Sequence, residues 1–192
     1  MVPDTVNVRK RTTPVVRPAA IADARRMATI NVRSWRSTYR GMLPDGLLDV
    51  RDVKALTEDF VHTLANRRPR RSILVAEGGR GPIHRVLAYA ALAPASEESA
   101  AGIDGPADEV AVLQMLYVDP RWMRRGFGHA LHEAILEVAQ TLNYRKAVLW
   151  VVPENAGARA FYEVHGWTCE GTVRTEQLDG FPVPEIRYVR DV

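Results

Sequence analysis

The run from Val110 through Leu142 to residues 147–152 constrains the fold of this chain most. Residues 110–118 are strongly apolar and read as a strand, which Asp119-Pro120 stops. Phe127, Leu131, Ile135, Val138 and Leu142 then recur at spacings of 4, 4, 3 and 4, lining one face of a long helix. Residues 147–152 are an unbroken apolar run, as expected for a strand covered on both faces. Strand, helix, strand in that order predicts a right-handed crossover joining parallel strands. Arg124-Arg125-Gly126-Phe127-Gly128-His129 connects the first strand to the helix. Its glycines permit a tight turn and close approach of a ligand to the backbone. The first N–H groups of a helix lack helical partners, and the dipole favours an anion there. Arg124 and Arg125 add positive charge. The turn therefore reads either as a pyrophosphate cradle or as plain strand-to-helix geometry. There is no G-K-[ST], and Leu131 replaces the third glycine of G-x-G-x-x-G, which disfavours a P-loop and a dinucleotide fold.

The remaining patterns surround that unit. Val15-Val16-Arg17 reads as a short strand ended by Pro18. Ile21, Ala24, Ala28, Val32 and Trp35 mark a helix that breaks near residues 41–44. Val53, Leu56, Phe60 and Leu64 mark a second helix, started by Asp52. Residues 72–77 and 85–93 form a hairpin about a turn at residues 78–82. Residues 94–109 have no apolar period and read as a long surface loop. A short helix over residues 155–165 is closed by Gly166. Strands over residues 168–176 and 185–190 flank a turn at residues 179–182.

A chain of 192 residues suits one domain, placed here at residues 14–192 behind a basic, disordered tail at residues 1–13. The net charge of +3 and pI of about 9.2 come from a near-balance of 26 basic and 23 acidic residues. A nucleic-acid-binding module concentrates its positive charge, so that class is disfavoured. One cysteine, Cys169, precludes an intramolecular disulfide and suits a cytoplasmic protein; it reads as a small buried residue in a strand. No apolar run approaches the roughly 20 residues that span a bilayer, so no membrane association is expected.

The second informative stretch is Asn155-Ala156-Gly157-Ala158-Arg159-Ala160-Phe161-Tyr162-Glu163-Val164-His165-Gly166-Trp167. Taken alone, Asn155 is an N-cap, Phe161 is core and Tyr162 sits at the core edge. Together with the glycine turn, however, it resembles the coenzyme A-binding core of the GNAT acetyltransferases. The family pattern is Q/R-x-x-G-x-G/A after a strand, then N-x-x-A-x-x-F/L-Y-x-x-x-G-F. Asn155, Ala158, Phe161, Tyr162 and Gly166 match the second part, with Trp167 for the usual Phe. The segment Ser34-Trp35-Arg36-Ser37-Thr38-Tyr39-Arg40-Gly41-Met42-Leu43-Pro44 is similar to one branch of the family. Met123 departs from it, standing at the Q/R position.

The resemblance implies a single α/β (α+β mixed) domain. Its central mixed, mostly antiparallel twisted sheet has about six to seven strands flanked by about four helices. A parallel strand pair is splayed around the coenzyme A site. It implies an acetyl-CoA-dependent N-acetyltransferase in which a primary amine of a small molecule or protein attacks the thioester directly. A non-catalytic acyl-CoA-binding sensor or partner domain is the alternative, and a homodimer is compatible with the resemblance. Leu116, Tyr117 and Val118 would hold the pantetheine. Arg124, Arg125, Gly126, Phe127, Gly128 and His129 would hold the pyrophosphate, and Asn155 and Ala158 would complete the cofactor site. Tyr162 would protonate the departing thiolate as general acid. Val112 stands where some relatives carry a glutamate, so Glu109 is the substitute proton acceptor; it also reads as a solvated loop-end residue. Trp35 and Tyr39 would line the acceptor pocket, and the loop at 94–109 and turn at 179–182 could close over a substrate. His129 and His132 stand at i, i+3 beside Glu133, which is not a zinc-protease spacing, so no metal is expected.

Overall fold

The computed structural model describes residues 13–80 and 83–192; the expected tail and the tip of the first hairpin turn lie largely outside the described residues. Thirteen elements follow in order. They are β1 (Val15–Pro18), α1 (Ala24–Tyr39), α2 (Asp45–Asp49), α3 (Val53–Ala65), β2 (Ser72–Arg80) and β3 (Ile83–Pro94). Then come α4 (Glu97–Ala100), β4 (Val110–Val118), α5 (Phe127–Thr141), β5 (Lys146–Val151), α6 (Ala156–Val164), β6 (Thr168–Leu178) and β7 (Phe181–Asp191). The strands form one sheet in the order β1-β2-β3-β4-β5-β7-β6. Only β4 and β5 run parallel, and α5 is the crossover that joins them.

The apolar stripe read from the sequence is the face that α5 buries. Phe127, Leu131 and Ile135 are buried against Leu87, Ala90 and Leu149 of the sheet. On the other sheet face, Met27 and Ile30 of α1 pack with Phe60 and Leu64 of α3 over Val75 and Tyr89. Each fully buried side chain of this size contributes about 1.5–3 kcal/mol. Asp52 caps α3 by accepting from the Ala55 amide at 2.9 Å, as its position predicts.

Four local readings differ. Residues 94–109 are not one open loop: Pro94 ends β3, Ser96 caps the short helix α4, and a 3-10 turn covers Ala107–Glu109. α2 follows Pro44, and its buried Leu47 and Leu48 meet Trp35, Leu43 and Val183. β7 starts at Phe181 although it holds Pro182 and Pro184. Its pairing with β5 begins only at Ile186, so those prolines forfeit no bond on that side. Finally, Cys169 is exposed, not buried. It lies on the edge strand β6, beside a register shift, where no further strand covers it.

Asp119, at the end of β4, is fully buried among arginines. Its carboxylate accepts from Arg26 Nη2 at 2.7 Å, with Arg121 Nε at 3.5 Å and Arg33 Nη1 at 3.6 Å. Burial alone would raise its pKa, but hydrogen bonds from Arg26 and Arg121 outweigh it and hold the carboxyl below the usual range. Its contribution is therefore present above the unfolded-state pKa and lost as pH falls through the depressed folded one. Asp119→Ala strands Arg26 between α1 and the sheet. Unfolding in denaturant should give a stability loss of about 3–5 kcal/mol.

Candidate active site

β4 and β5 pair only from Val110↔Lys146 to Val112↔Val148. The cause lies on the opposite edge of β4. Ala91 pairs with Met115 and Leu92 with Leu113, so Gln114 is an extra residue, and such a bulge bends and twists its strand. Beyond it, Leu116, Tyr117 and Val118 keep their β3 partners Ala90, Tyr89 and Ala88, but their β5-facing edge has no strand partner. The parallel pair thus opens into a V.

The glycine turn stands at the end of β4. Arg124 (φ 56°) and Gly126 (φ 88°) both adopt left-handed backbone, which turns successive amides toward one side as in an anion-binding nest. Gly126 is the N-cap of α5, and no side chain caps the helix. The first helical bond runs from the Ala130 amide to the Gly126 carbonyl at 3.0 Å. The amides of Phe127, Gly128 and His129 therefore have no helical acceptor. Phe127 is buried edge-on against Trp122, which fixes the turn, while Arg124, Arg125 and Met123 are exposed. A Cβ on Gly128 would make ordinary 3.6 Å contacts with Phe161 and Val118, so α6 and β4 meet closely there.

α6 supplies the third side of the V. Asn155 caps it, its Oδ1 accepting from the Ala158 amide at 3.1 Å. Burial raises the pKa of the Tyr39 hydroxyl, and the same Asn155 side chain lowers it. Ala158 packs on the core, and Phe161 sits edge-on to Tyr162. Burial, with Tyr39 nearby, pushes the Tyr162 hydroxyl well above its ordinary pKa. It remains a protonated donor at any physiological pH.

Trp35, Tyr39, Tyr117, Trp150 and Glu185 line a cavity of about 640 Å³ beside the V. The Trp35 indole donates to the Tyr117 hydroxyl at 2.8 Å and rests on Tyr39. Ser96 and Ser99, from the stretch read as a loop, form part of the wall, as do Leu178 and Val183 beside the last turn. Glu109 is placed elsewhere. It stands at the start of β4, at the paired end of the V, with its carboxylate 3.0 Å from Arg145 Nε. Glu176 and Glu185 are carboxylates of this cavity that the sequence reading overlooked, and Glu185 is the more buried of the two. Burial raises its pKa, Arg174 at 2.8 Å opposes this, and Glu176 adds to it. The available signal was a charged residue at the first position of the strand expected over residues 185–190.

The histidines separate. His132 is buried, receiving the Trp167 indole N–H at 2.8 Å and meeting Glu133 at 2.8 Å. Burial lowers its pKa, so it is neutral near pH 7. His129 Nδ1 lies 2.9 Å from His165 Nε2, and His165 Nδ1 lies 2.7 Å from the Phe161 carbonyl. A carbonyl only accepts, so His165 Nδ1 donates to it, and Nε2 is the atom that faces His129. Ligand-type atoms of His129, Glu133 and His165 fall within 4.8 Å of one another; the two imidazoles face each other at 2.9 Å, and Glu133 is bonded to His132.

The sequence profile of the acetyltransferase (GNAT) family matches residues 32–167, from the second half of α1 through the glycine turn and α6. The chain belongs to that family. Its mixed, mostly antiparallel sheet with one parallel pair is the GNAT fold seen in solved structures. PaiA N-acetyltransferase from Thermoplasma acidophilum, solved with coenzyme A, superposes with a TM-score of 0.69 at 16% identity over 94% of this chain and 99% of that one. YncA from Salmonella typhimurium, solved with its cofactor acetyl-CoA, gives 0.64 at 17% identity over 93% and 94%. A probable N-acetyltransferase of Mycobacterium tuberculosis is 25% identical over 174 residues, 90% of this GNAT chain and 91% of its relative. No helix among the described residues is long and apolar enough to cross a membrane.

Proposed function

We propose that residues 14–192 form an acetyl-CoA-dependent N-acetyltransferase that moves an acetyl group to a primary amine by direct attack in a ternary complex. One observation carries this reading. The unpaired edge of Leu116–Val118 leads into the uncapped amides of residues 127–129, and α6, which carries Tyr162, meets them where Phe161 approaches Gly128. The free edge suits an amide-bearing arm such as pantetheine, and the amides with Arg124 and Arg125 suit a pyrophosphate. The solved relatives with coenzyme A and acetyl-CoA support the same ligand.

Bound acetyl-CoA would supply an activated thioester. The chain would do the rest. Its backbone edge and turn orient the donor, and Tyr162 holds a proton for the departing thiolate. Glu185, facing the cavity from β7, takes the proton that an ammonium must lose before it attacks. In this reading Glu109 has a structural role through Arg145.

Glu185 is raised above its ordinary pKa, so kcat/KM should fall as pH drops through that raised value and Glu185 protonates. Glu185→Gln should remove this acid limb and lower kcat/KM about 10²-fold. An unchanged pH profile would reject the role.

Two measurements test the whole reading: calorimetric titration with acetyl-CoA, and thiol release with a panel of amines. Binding together with amine-dependent thiol release is expected. Binding without release from any amine would leave an acyl-CoA-binding domain, and absence of binding would reject the cradle.

A further inference from the structure

Two arginines that line the acceptor cavity, Arg51 and the exposed Arg71, form no ion pair with a described carboxylate. Arg51 follows α2 and lines the cavity with Trp35, Tyr39 and Tyr117. Its guanidinium stacks on Trp35, with Cζ 3.5 Å from the ring centroid. Nη1 donates to Asn31 Oδ1 at 3.3 Å. Nε is buried and has no hydrogen-bond partner among the described residues. No carboxylate among the described residues forms an ion pair with Arg51, although Asp23, Asp119, Glu77 and Glu170 all hold arginines elsewhere. A guanidinium that is packed on an indole and left without a counter-charge is costly to bury. It is also shaped to bind a planar oxyanion through two parallel N–H bonds.

The opposite wall has the opposite sign. Arg174 sits between Glu185 at 2.8 Å and Glu176 at 3.4 Å, so these three groups leave one net negative charge. Both walls belong to one cavity. Burial raises the pKa of the Tyr39 hydroxyl between them, Glu185 adds to this and Arg51 opposes it. Trp35 and Trp150 give the space between them aromatic sides.

We infer that the acceptor is a primary amine that itself carries a carboxylate, a free amino acid or an amine of similar size. Its carboxylate is held by Arg51 and its amino group lies on the Glu185 side. A simple polyamine would place a cation against Arg51. This inference rests on the acetyltransferase reading for the reaction but not for the binding.

The test uses the full chain with acetyl-CoA and the standard L-amino acids and γ-aminobutyrate, each beside its decarboxylated amine. We expect at least one carboxylate-bearing amine to exceed its decarboxylated partner at least tenfold in kcat/KM. Arg51→Met should bring that ratio close to one, and Arg51→Lys should restore part of it. Circular dichroism reports whether the variants fold. If every accepted amine favours the decarboxylated partner, or if Arg51→Met leaves the ratio unchanged, the inference is overturned. If acetyl-CoA binds and no amine is acetylated, the catalytic reading fails by itself. Equilibrium binding of the same amino acids to the coenzyme A complex then decides: binding that Arg51→Met abolishes upholds the inference, and no binding of any overturns it.

Discussion

Replacing Tyr162 with phenylalanine should slow acetyl transfer by about 10²- to 10⁴-fold, the range general acid catalysis supplies. Acetyl-CoA should bind as before. The expectation follows from where the ring sits. Tyr162 packs edge-on against Phe161 and Trp167, and its body belongs to the main core. Phenylalanine keeps those contacts and removes only the hydroxyl. That hydroxyl is held in the protonated state by burial, so the lost group is a donor and not a base. The proton it would give matters once the thiolate begins to leave, so the effect belongs in kcat and not in the affinity for the donor. Two readouts separate a chemical role from a structural one. An unchanged melting temperature with a large fall in kcat supports the acid. An unchanged kcat would assign Tyr162 to packing alone.

The elements with strong period were legible before the structure. The α5 stripe, the β4 and β5 runs and the crossover between them follow from side-chain spacing, because burial of one face is a local pattern. The glycine turn was legible because a left-handed backbone, as at Gly126, favours a residue without a Cβ. Arg124 shares that conformation without being glycine, and nothing in its own identity announced it. What stayed hidden depends on contacts distant in sequence. Asp119 looks like a strand stop, and its burial appears only once α1 brings Arg26 against it. Glu185 and Arg51 are separated by most of the chain, and only the sheet order places both in one cavity. Glu109 illustrates the reverse. Its position in the sequence suggested chemistry, but the strands are still paired where it stands, and the V opens only past the bulge at Gln114. Cys169 misled for a related reason, since alternation cannot reveal that a strand is at the edge of its sheet.

Gly126→Glu should weaken acetyl-CoA binding at least about 100-fold, a loss of about 2.7 kcal/mol. Two separable effects contribute. A Cβ at this position meets nothing within 4 Å, so there is no steric clash. The backbone is left-handed at φ 88°, however, which costs an L-residue roughly 1–2 kcal/mol. Gly126→Ala introduces that strain alone, and its effect on binding should stay near or below about tenfold. The glutamate adds a negative charge at the mouth of the cradle, where the amides of residues 127–129 and the side chains of Arg124 and Arg125 would meet a pyrophosphate. Like charges repel there, and salt should relieve part of the loss because the turn is exposed. Calorimetry at low and high ionic strength distinguishes the contributions. A salt-dependent deficit in the glutamate variant, with a small and salt-independent one in the alanine variant, identifies an anion site. Equal affinities for wild type and both variants would mean that α5 begins with glycine for geometry alone, and that the donor binds elsewhere on the chain.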